Sequence, residues 1–324
     1  MMVLKARAEC WPLAEVFTIS RGSRTETELV VVELDDGDVS GRGECMANPR
    51  YGETQESVLA ALNGMDFSGG LDRGRLQEIL PAGAARNALD CALWDMEAKR
   101  SGKRAWELIG LSPPKSVITA YTLSLDTPEK MAAAAKRHAD RPLLKLKVTG
   151  DGDQERVAAV REGAPDARLI VDANEGWQPK MVEPLGAALK SLGVEMIEQP
   201  LPAADDAILA EIGHPVPFCA DESCHTSADL ERLQGRYDLV NIKLDKTGGL
   251  TEALRLKKQA QEMGFGIMVG CMVATSLAMA PAHLVAQGAN YVDIDGPLLL
   301  ARDRDSGLTF DGSAVGPPAA DLWG

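Results

Sequence analysis

Between residues 117 and 295, short runs of β-branched and apolar residues recur about every 25 residues, each followed by an Ala-, Leu- and charge-rich segment long enough for a helix. There are eight runs, at 117–125, 143–148, 168–173, 194–198, 217–221, 239–244, 266–270 and 291–295. Strand alternating with helix implies parallel pairing through right-handed crossovers, and eight units close into a barrel. Pro297, Gly307, Gly316, Pro317 and Pro318 break the segment after the eighth run, so the last helix is missing or replaced. The expected fold is α/β: a (β/α)7β TIM-type barrel over 116–300.

Residues 1–115 carry another pattern. Runs at 28–34 and 39–44, joined through Asp36-Gly37, predict an antiparallel hairpin, and helical patterns follow at 55–63 and 84–99. An α+β capping domain is expected here, with the tail 301–324 packing back on it. The loops 20–24 and 48–53 are its natural lid.

Composition narrows the function. Lys plus Arg number 34 against 48 Asp plus Glu, a net charge of −14 that repels phosphate backbones and anionic membrane surfaces. Aromatics are 4 %, too few for base stacking, so nucleic acid is not an expected partner. The uncharged stretch 267–287 is interrupted by Gly270, Pro281 and His283 and reads as a buried strand plus helix, not a membrane span. Six cysteines without a C-x-x-C pair suggest reduced thiols, and Lys5, Arg7 and Glu9 interrupt any apolar export signal; both point to the cytoplasm. Homo-oligomer formation stays open.

In such a barrel the chemistry lies at the carboxyl ends of the strands. Asp172, Glu198 and Asp221 end three consecutive strands and converge on one spot. Three like charges there require a cation, and all-oxygen ligation selects Mg²⁺. Lys147 and Lys243 flank them on the second and sixth strands, which lie across the barrel from each other. Lys147, Asp172, Glu198, Asp221 and Lys243 are spaced by 25, 26, 23 and 22 residues. That set suits proton abstraction next to a carboxylate through an enediolate: one lysine removes the proton, the other returns it to the opposite face. An ordinary lysine, with a pKa of about 10.4, is a poor base at neutral pH; Lys145, on the same face as Lys147, and the cation would push Lys147 down. Asp293 and Asp295 share a face of the last strand and would bind a cation such as an α-ammonium group. Lys246, three past Lys243, reads as loop decoration.

Lys145-Leu146-Lys147, Asp172, Glu198, Asp221 and Lys243 reproduce the motif order of the enolase superfamily, and the whole chain resembles its muconate-cycloisomerase-like group. The helix segment 85–95 belongs to that resemblance. The runs 220–226, 240–249 and Asp293-Ile294-Asp295-Gly296-Pro297 are more closely similar to the dipeptide epimerases of the group. This resemblance implies a Mg²⁺-dependent two-base 1,1-proton transfer on a dipeptide, interconverting L-Ala-D-Glu and L-Ala-L-Glu in murein peptide salvage. It gives Asp293 and Asp295 the dipeptide's ammonium and places Thr122 near the substrate. It also lets Glu222, otherwise expected to face away from Asp221, reach the lysine of the sixth strand. Arg24 or Arg21 would meet the glutamate side chain, with Arg24 the expected one. Competing readings are an o-succinylbenzoate synthase or N-acylamino acid racemase, which leave the Asp293/Asp295 pair unexplained, and a non-catalytic metal-binding barrel acting as a binding module.

Overall fold

The structure, a computed structural model, describes residues 2–67 and 69–324. The chain opens with an antiparallel sheet of β1 (Val3–Ile19), β2 (Gly22–Asp35) and β3 (Ser40–Cys45), in that order. The expected hairpin is β2–β3. The sequence reading missed β1 because it is a sheet edge whose side chains lie mostly in solvent, so no apolar run betrays it. Helices Gln55–Asn63 and Ala84–Ser101 follow, matching the helical patterns. A Cβ at Gly41 or Gly43 would run into the carbonyl oxygens of Ala92 and Ala88, so these two glycines let helix Ala84–Ser101 lie directly on the backbone of β3. Glu53 Oε1 accepts the amide of Ala84 at 2.7 Å, tying the loop at 48–53 to the start of that helix.

The second sheet is the barrel. After β4 (Val117–Ile118) come β5 (Tyr121–Leu123), β6 (Leu143–Lys147), β7 (Arg168–Asp172) and β8 (Val194–Glu198). Then follow β9 (Phe218–Ala220), β10 (Leu239–Ile242), β11 (Gly266–Gly270) and β12 (Tyr291–Asp293). Strands β5 to β12 lie in sequence order, all parallel. Ala120 N to Val292 O at 2.7 Å and Ile294 N to Thr119 Oγ1 at 2.9 Å draw the last strand against the first. The expected first run, 117–125, divides: Val117 and Ile118 leave the barrel and pair antiparallel with β14 (Ala314–Val315), itself paired with β13 (Phe310–Asp311). The tail takes the edge of β4, so a run that reads as one strand serves two sheets.

Period-two alternation explains where the site lies. Leu143, Ile170, Met196, Cys219, Leu239 and Met268 form a buried apolar layer inside the barrel. Two or four positions on, the same faces carry Lys145 and Lys147, Asp172, Glu198, Asp221, Asn241 and Lys243. The residues between them, such as Leu144, Val171, Ile197 and Val240, face the surrounding helices. The barrel is thus an apolar plug with a charged mouth.

After β12 only the helix Gly296–Leu299 remains where an eighth helix would stand. The tail returns to the first domain. Arg104 donates to the carbonyls of Pro318 and Gly324, and the fully buried Trp323 donates its indole N–H to Cys91 O at 3.0 Å. The stretch 267–287 is β11 plus the wholly buried helix Ser276–Ala286, and no helix among the described residues is long and apolar enough to cross a membrane. All six cysteines are free thiols.

Candidate active site

A cavity of about 280 Å³ lies between the barrel mouth and the first domain. Lys145, Lys147, Asp221, Lys243, Asp293 and Asp295 enter from the barrel, as does Thr122; Tyr51 enters from the loop 48–53 and Arg21 from the turn between β1 and β2, whereas Arg24 enters from β2 itself, which takes up residues 22–24 of the segment expected as a lid loop. Asp172 and Glu198 lie beneath, fully buried. The three carboxylates, the three lysines and the Asp pair therefore meet at one place.

The carboxylates and lysines form one ionic web. Lys147 Nζ stands 2.6 Å from Asp172 Oδ2, and Lys243 Nζ 2.7 Å from Asp221 Oδ2. Lys145 Nζ bridges Asp293 Oδ2 at 2.7 Å, Glu198 Oε2 at 2.7 Å and Asp172 Oδ2 at 3.2 Å. Burial works against the charged form of Lys145, but those three carboxylates overcome it and hold its pKa well above the ordinary lysine range. Lys243 is likewise held high against burial, by Asp221 and Glu198. Burial would raise Asp172, yet Lys147 and Lys145 keep it below the usual carboxylate range. Glu198 is raised by burial and by the charge of Asp172. Gly270 makes room for this web, because a Cβ there would press on the Asn241 amide and on Lys243 Cε. The Asn241 amide in turn donates to Glu198 Oε1 at 2.7 Å.

Among the described residues no trio of acidic, imidazole or thiol groups is gathered tightly enough to hold an ion as it stands; the ammonium groups lie between the carboxylates. The donor set nevertheless fits a hard cation. Glu198 Oε2 and Asp221 Oδ1 are buried, and although ammonium groups stand 2.7 Å from each, neither accepts a hydrogen bond of good direction. Their lone pairs, with Asp172 beside them, are the oxygens a Mg²⁺ ion takes.

Around this centre the structure distinguishes residues the sequence left open. Arg21 is committed to protein acids: Glu222 Oε1 at 3.0 Å and Glu175 Oε2 at 3.5 Å. Arg50 grips the same Glu175 with two bonds of 2.7 Å. Glu175 and its neighbour Asn174 sit in left-handed backbone, φ 66° and 44°, which aims this loop at the cap. Among the described residues no carboxylate forms an ion pair with Arg24: its guanidinium lies 5.6 Å from the Phe17 ring centre and 3.6 Å from the Met46 sulfur, and burial lowers its pKa. Thr122 contributes through its amide, which donates to Asp295 Oδ2 at 2.7 Å, while its hydroxyl stands 3.5 Å from Asp293. Burial and the charge of Asp293 push Asp295 up to about 7.

Two expectations change. Glu222 does not face away from Asp221 and makes its ion pair with Arg21, not Lys243; β9 ends at Ala220, so strand alternation no longer governs it. Burial and the charge of Asp221 push its pKa up to about 7. Lys246 is not loop decoration but fully buried, donating to the carbonyls of Asp221, Cys224 and Asn241. Glu175 carries no signal in the sequence, whereas Arg50 lies in the expected lid loop 48–53 and Gln199 in the Glu-Gln-Pro run that ends the fourth strand, neither with a role assigned from sequence.

Known proteins share this arrangement. Residues 1–110 match the mandelate racemase/muconate lactonizing enzyme N-terminal domain and residues 130–308 the enolase C-terminal domain-like family. The chain is 49 % identical to L-Ala-D/L-Glu epimerase of Escherichia coli K12, over 96 % of this chain and 98 % of that protein. It is 46 % identical to N-acetyl-D-glutamate racemase of a Pseudoalteromonas species, over 91 % and 95 %. Among solved structures, an enolase family member from Agrobacterium tumefaciens with homology to dipeptide epimerases, holding sodium and L-Ala-L-Glu, superposes with a TM-score of 0.98 at 53 % identity over 100 % of both chains. Other matching dipeptide epimerase structures hold Mg and a dipeptide. With a parallel barrel, a capping sheet and opposed lysines around three strand-end carboxylates, the chain belongs to the mandelate racemase/muconate lactonizing enzyme family of the enolase superfamily and, within it, to the dipeptide epimerases.

Proposed function

We propose that this enzyme interconverts L-Ala-D-Glu and L-Ala-L-Glu by a two-base 1,1-proton transfer with Mg²⁺ held by Asp172, Glu198 and Asp221, and that it serves murein peptide salvage in the cytoplasm. Residues 1–115 with 301–324 form the cap in this reading, and 116–300 the catalytic barrel. The observation that carries it is one cavity with three charge-selective places. Asp293 and Asp295 suit an α-ammonium group, the buried trio suits a metal-bridged carboxylate, and the uncommitted Arg24 suits a side-chain carboxylate. Those are the charges of an alanyl-glutamate dipeptide. The L-Ala-D/L-Glu epimerase of E. coli and the L-Ala-L-Glu complex from A. tumefaciens support the same substrate.

Asp172, Glu198 and Asp221 would hold Mg²⁺, which would supply positive charge against the negative charge that develops on the substrate carboxylate. Lys147, at the end of β6, and Lys243, directly after β10, would face the substrate α-carbon from opposite sides of the ring of strands. One, as the neutral amine, would accept the α-proton at Nζ and become an ammonium, while the other, as the ammonium, would donate a proton from Nζ to the opposite face and become an amine, which inverts the centre. Lys145, held charged by three carboxylates, adds fixed positive charge and keeps Asp293 in place.

A second reading is racemisation of N-acyl glutamate. It is favoured by Asp293 being already neutralised by Lys145, which leaves the amine pocket less negative, and by the Pseudoalteromonas relative. Proton NMR in D₂O with Mg²⁺ separates the two. L-Ala-D-Glu is expected to lose its glutamate α-proton signal and yield the L,L diastereomer, with EDTA abolishing both events. Turnover of N-acetyl-D-glutamate alone would favour the second reading.

A further inference from the structure

The turn after β9, which carries Asp221, is gripped by the segments that follow both neighbouring strands, and no step described above uses either grip. On one side is Gln199, the residue after Glu198. Its amide oxygen accepts Asp221 N at 2.9 Å and Ser223 N at 3.2 Å, and its amide nitrogen is anchored on Leu201 O, Ser223 Oγ and Tyr237 Oη at 2.8 Å each. Gln199 holds a left-handed φ of 37°, strained for a residue with a side chain, to make that reach. On the other side is Lys246, whose Nζ lies 2.5 Å from Asp221 O, 2.8 Å from Cys224 O and 3.0 Å from Asn241 O. An ammonium group has three N–H donors, and these carbonyls use them all. Its fourth contact, Asp221 Oδ1 at 2.7 Å, is therefore electrostatic only, in keeping with that oxygen accepting no hydrogen bond.

The geometry points to Lys246 and Gln199 as positioning residues that set the placement of Asp221 and its separation from Lys243. Gln199 fixes the amides of the turn, and Lys246 fixes its carbonyls and joins them to Asn241, two residues before Lys243. Three carbonyl dipoles converging on one point repel each other without a cation between them, so removing the ammonium lets the turn open and carries Asp221 away from Asp172 and Glu198. The inference rests on the proposed metal site. Its effect on that site has a distinctive sign. Loss of the Lys246 charge alone would favour a bound cation, whereas loss of placement disfavours one.

The test is Mn²⁺ binding to the full chain, read by electron paramagnetic resonance of the free ion, with thermal melting confirming that each variant is folded. Lys246→Met and Gln199→Met, the second leaving every charge unchanged, are each expected to weaken Mn²⁺ binding by about 10- to 100-fold relative to wild type. Lys246→Gln, which keeps two donors, is expected to lose less than Lys246→Met and substitutes for it if that variant does not fold. Unchanged or tighter Mn²⁺ binding in folded Lys246→Met, or in Lys246→Gln in its place, would overturn the positioning role while leaving the metal site intact. Failure of the wild type to bind Mn²⁺ would overturn the metal site, and the positioning role with it.

Discussion

Replacing Arg24 with Met tests how this enzyme selects glutamate. Arg24 faces Phe17 and Met46 rather than an acid, while Arg21 is occupied by Glu222 and Glu175. Methionine fills much of the same space and removes the charge. A substrate side-chain carboxylate brought against Phe17 and Met46 without a guanidinium is a desolvated, unpaired charge, a loss of about 2–5 kcal/mol. Taking about 3 kcal/mol, kcat/KM for L-Ala-L-Glu should fall about 150-fold. The neutral isostere L-Ala-L-Gln carries no side-chain charge and should fall by about 2- to 13-fold, the range of a lost hydrogen bond of about 0.5–1.5 kcal/mol. Loss of the α-proton signal in D₂O measures both substrates in the same enzyme preparation. An equal fall for both would show that Arg24 only shapes the cavity. A selective fall in Arg21→Met, with Arg24→Met inert, would move the recognition to Arg21.

Further outcomes follow from the ionic web and from the junction between cap and barrel. Lys147→Ala and Lys243→Ala should each abolish inversion, while one-sided α-proton exchange survives for one epimer; retained epimerisation in both variants would remove the two-base assignment. Asp245, buried at the junction, accepts Asn87 Nδ2 at 2.8 Å and Met46 N at 3.1 Å, and burial pushes its pKa from 3.8 up to about 7. The folded state then binds this proton more tightly than the unfolded state, so the charged form costs stability above pH 7 and the cost vanishes below about pH 4. Asp245→Asn should therefore be more stable than the parent at pH 8, by up to about 4 kcal/mol, with the gap closing toward pH 4. Urea melts at the two pH values check this, and a pH-independent difference would refute it.

The sequence alone carried the barrel and the central web, and the reason is geometric. Once a strand's direction and parity are set, Lys147, Asp172 and Glu198 can point only into the mouth, and Asp221 and Lys243, one residue past β9 and β10, continue the same alternation. The same logic gave Asp293 at the end of β12, with Asp295 two residues beyond it. It stopped where regular structure stops. The run at 117–125 divides between two sheets because residues nearly 200 positions later offer Val117 and Ile118 a partner. Glu222 lies beyond the end of β9, and its partner Arg21 comes from the turn between β1 and β2, so neither spacing nor alternation links them.

Arg21 and Arg24 show the division most plainly. Three residues apart, one in the turn after β1 and the other in the first residues of β2, they are chemically identical in sequence. What separates them is which acids the fold brings near: Glu222 and Glu175 take the first, while the second lies against Phe17 and Met46. Lys246 is the same lesson in reverse, an ordinary charged residue that became an internal tie once two carbonyls of the turn after β9 and one of β10 closed around it. Local pattern determines which way a strand residue points, because backbone geometry repeats every two residues. Whether a charge is spent or free is decided only by neighbours distant in sequence, because an ion pair forms between groups that tertiary packing brings within a few ångströms of each other.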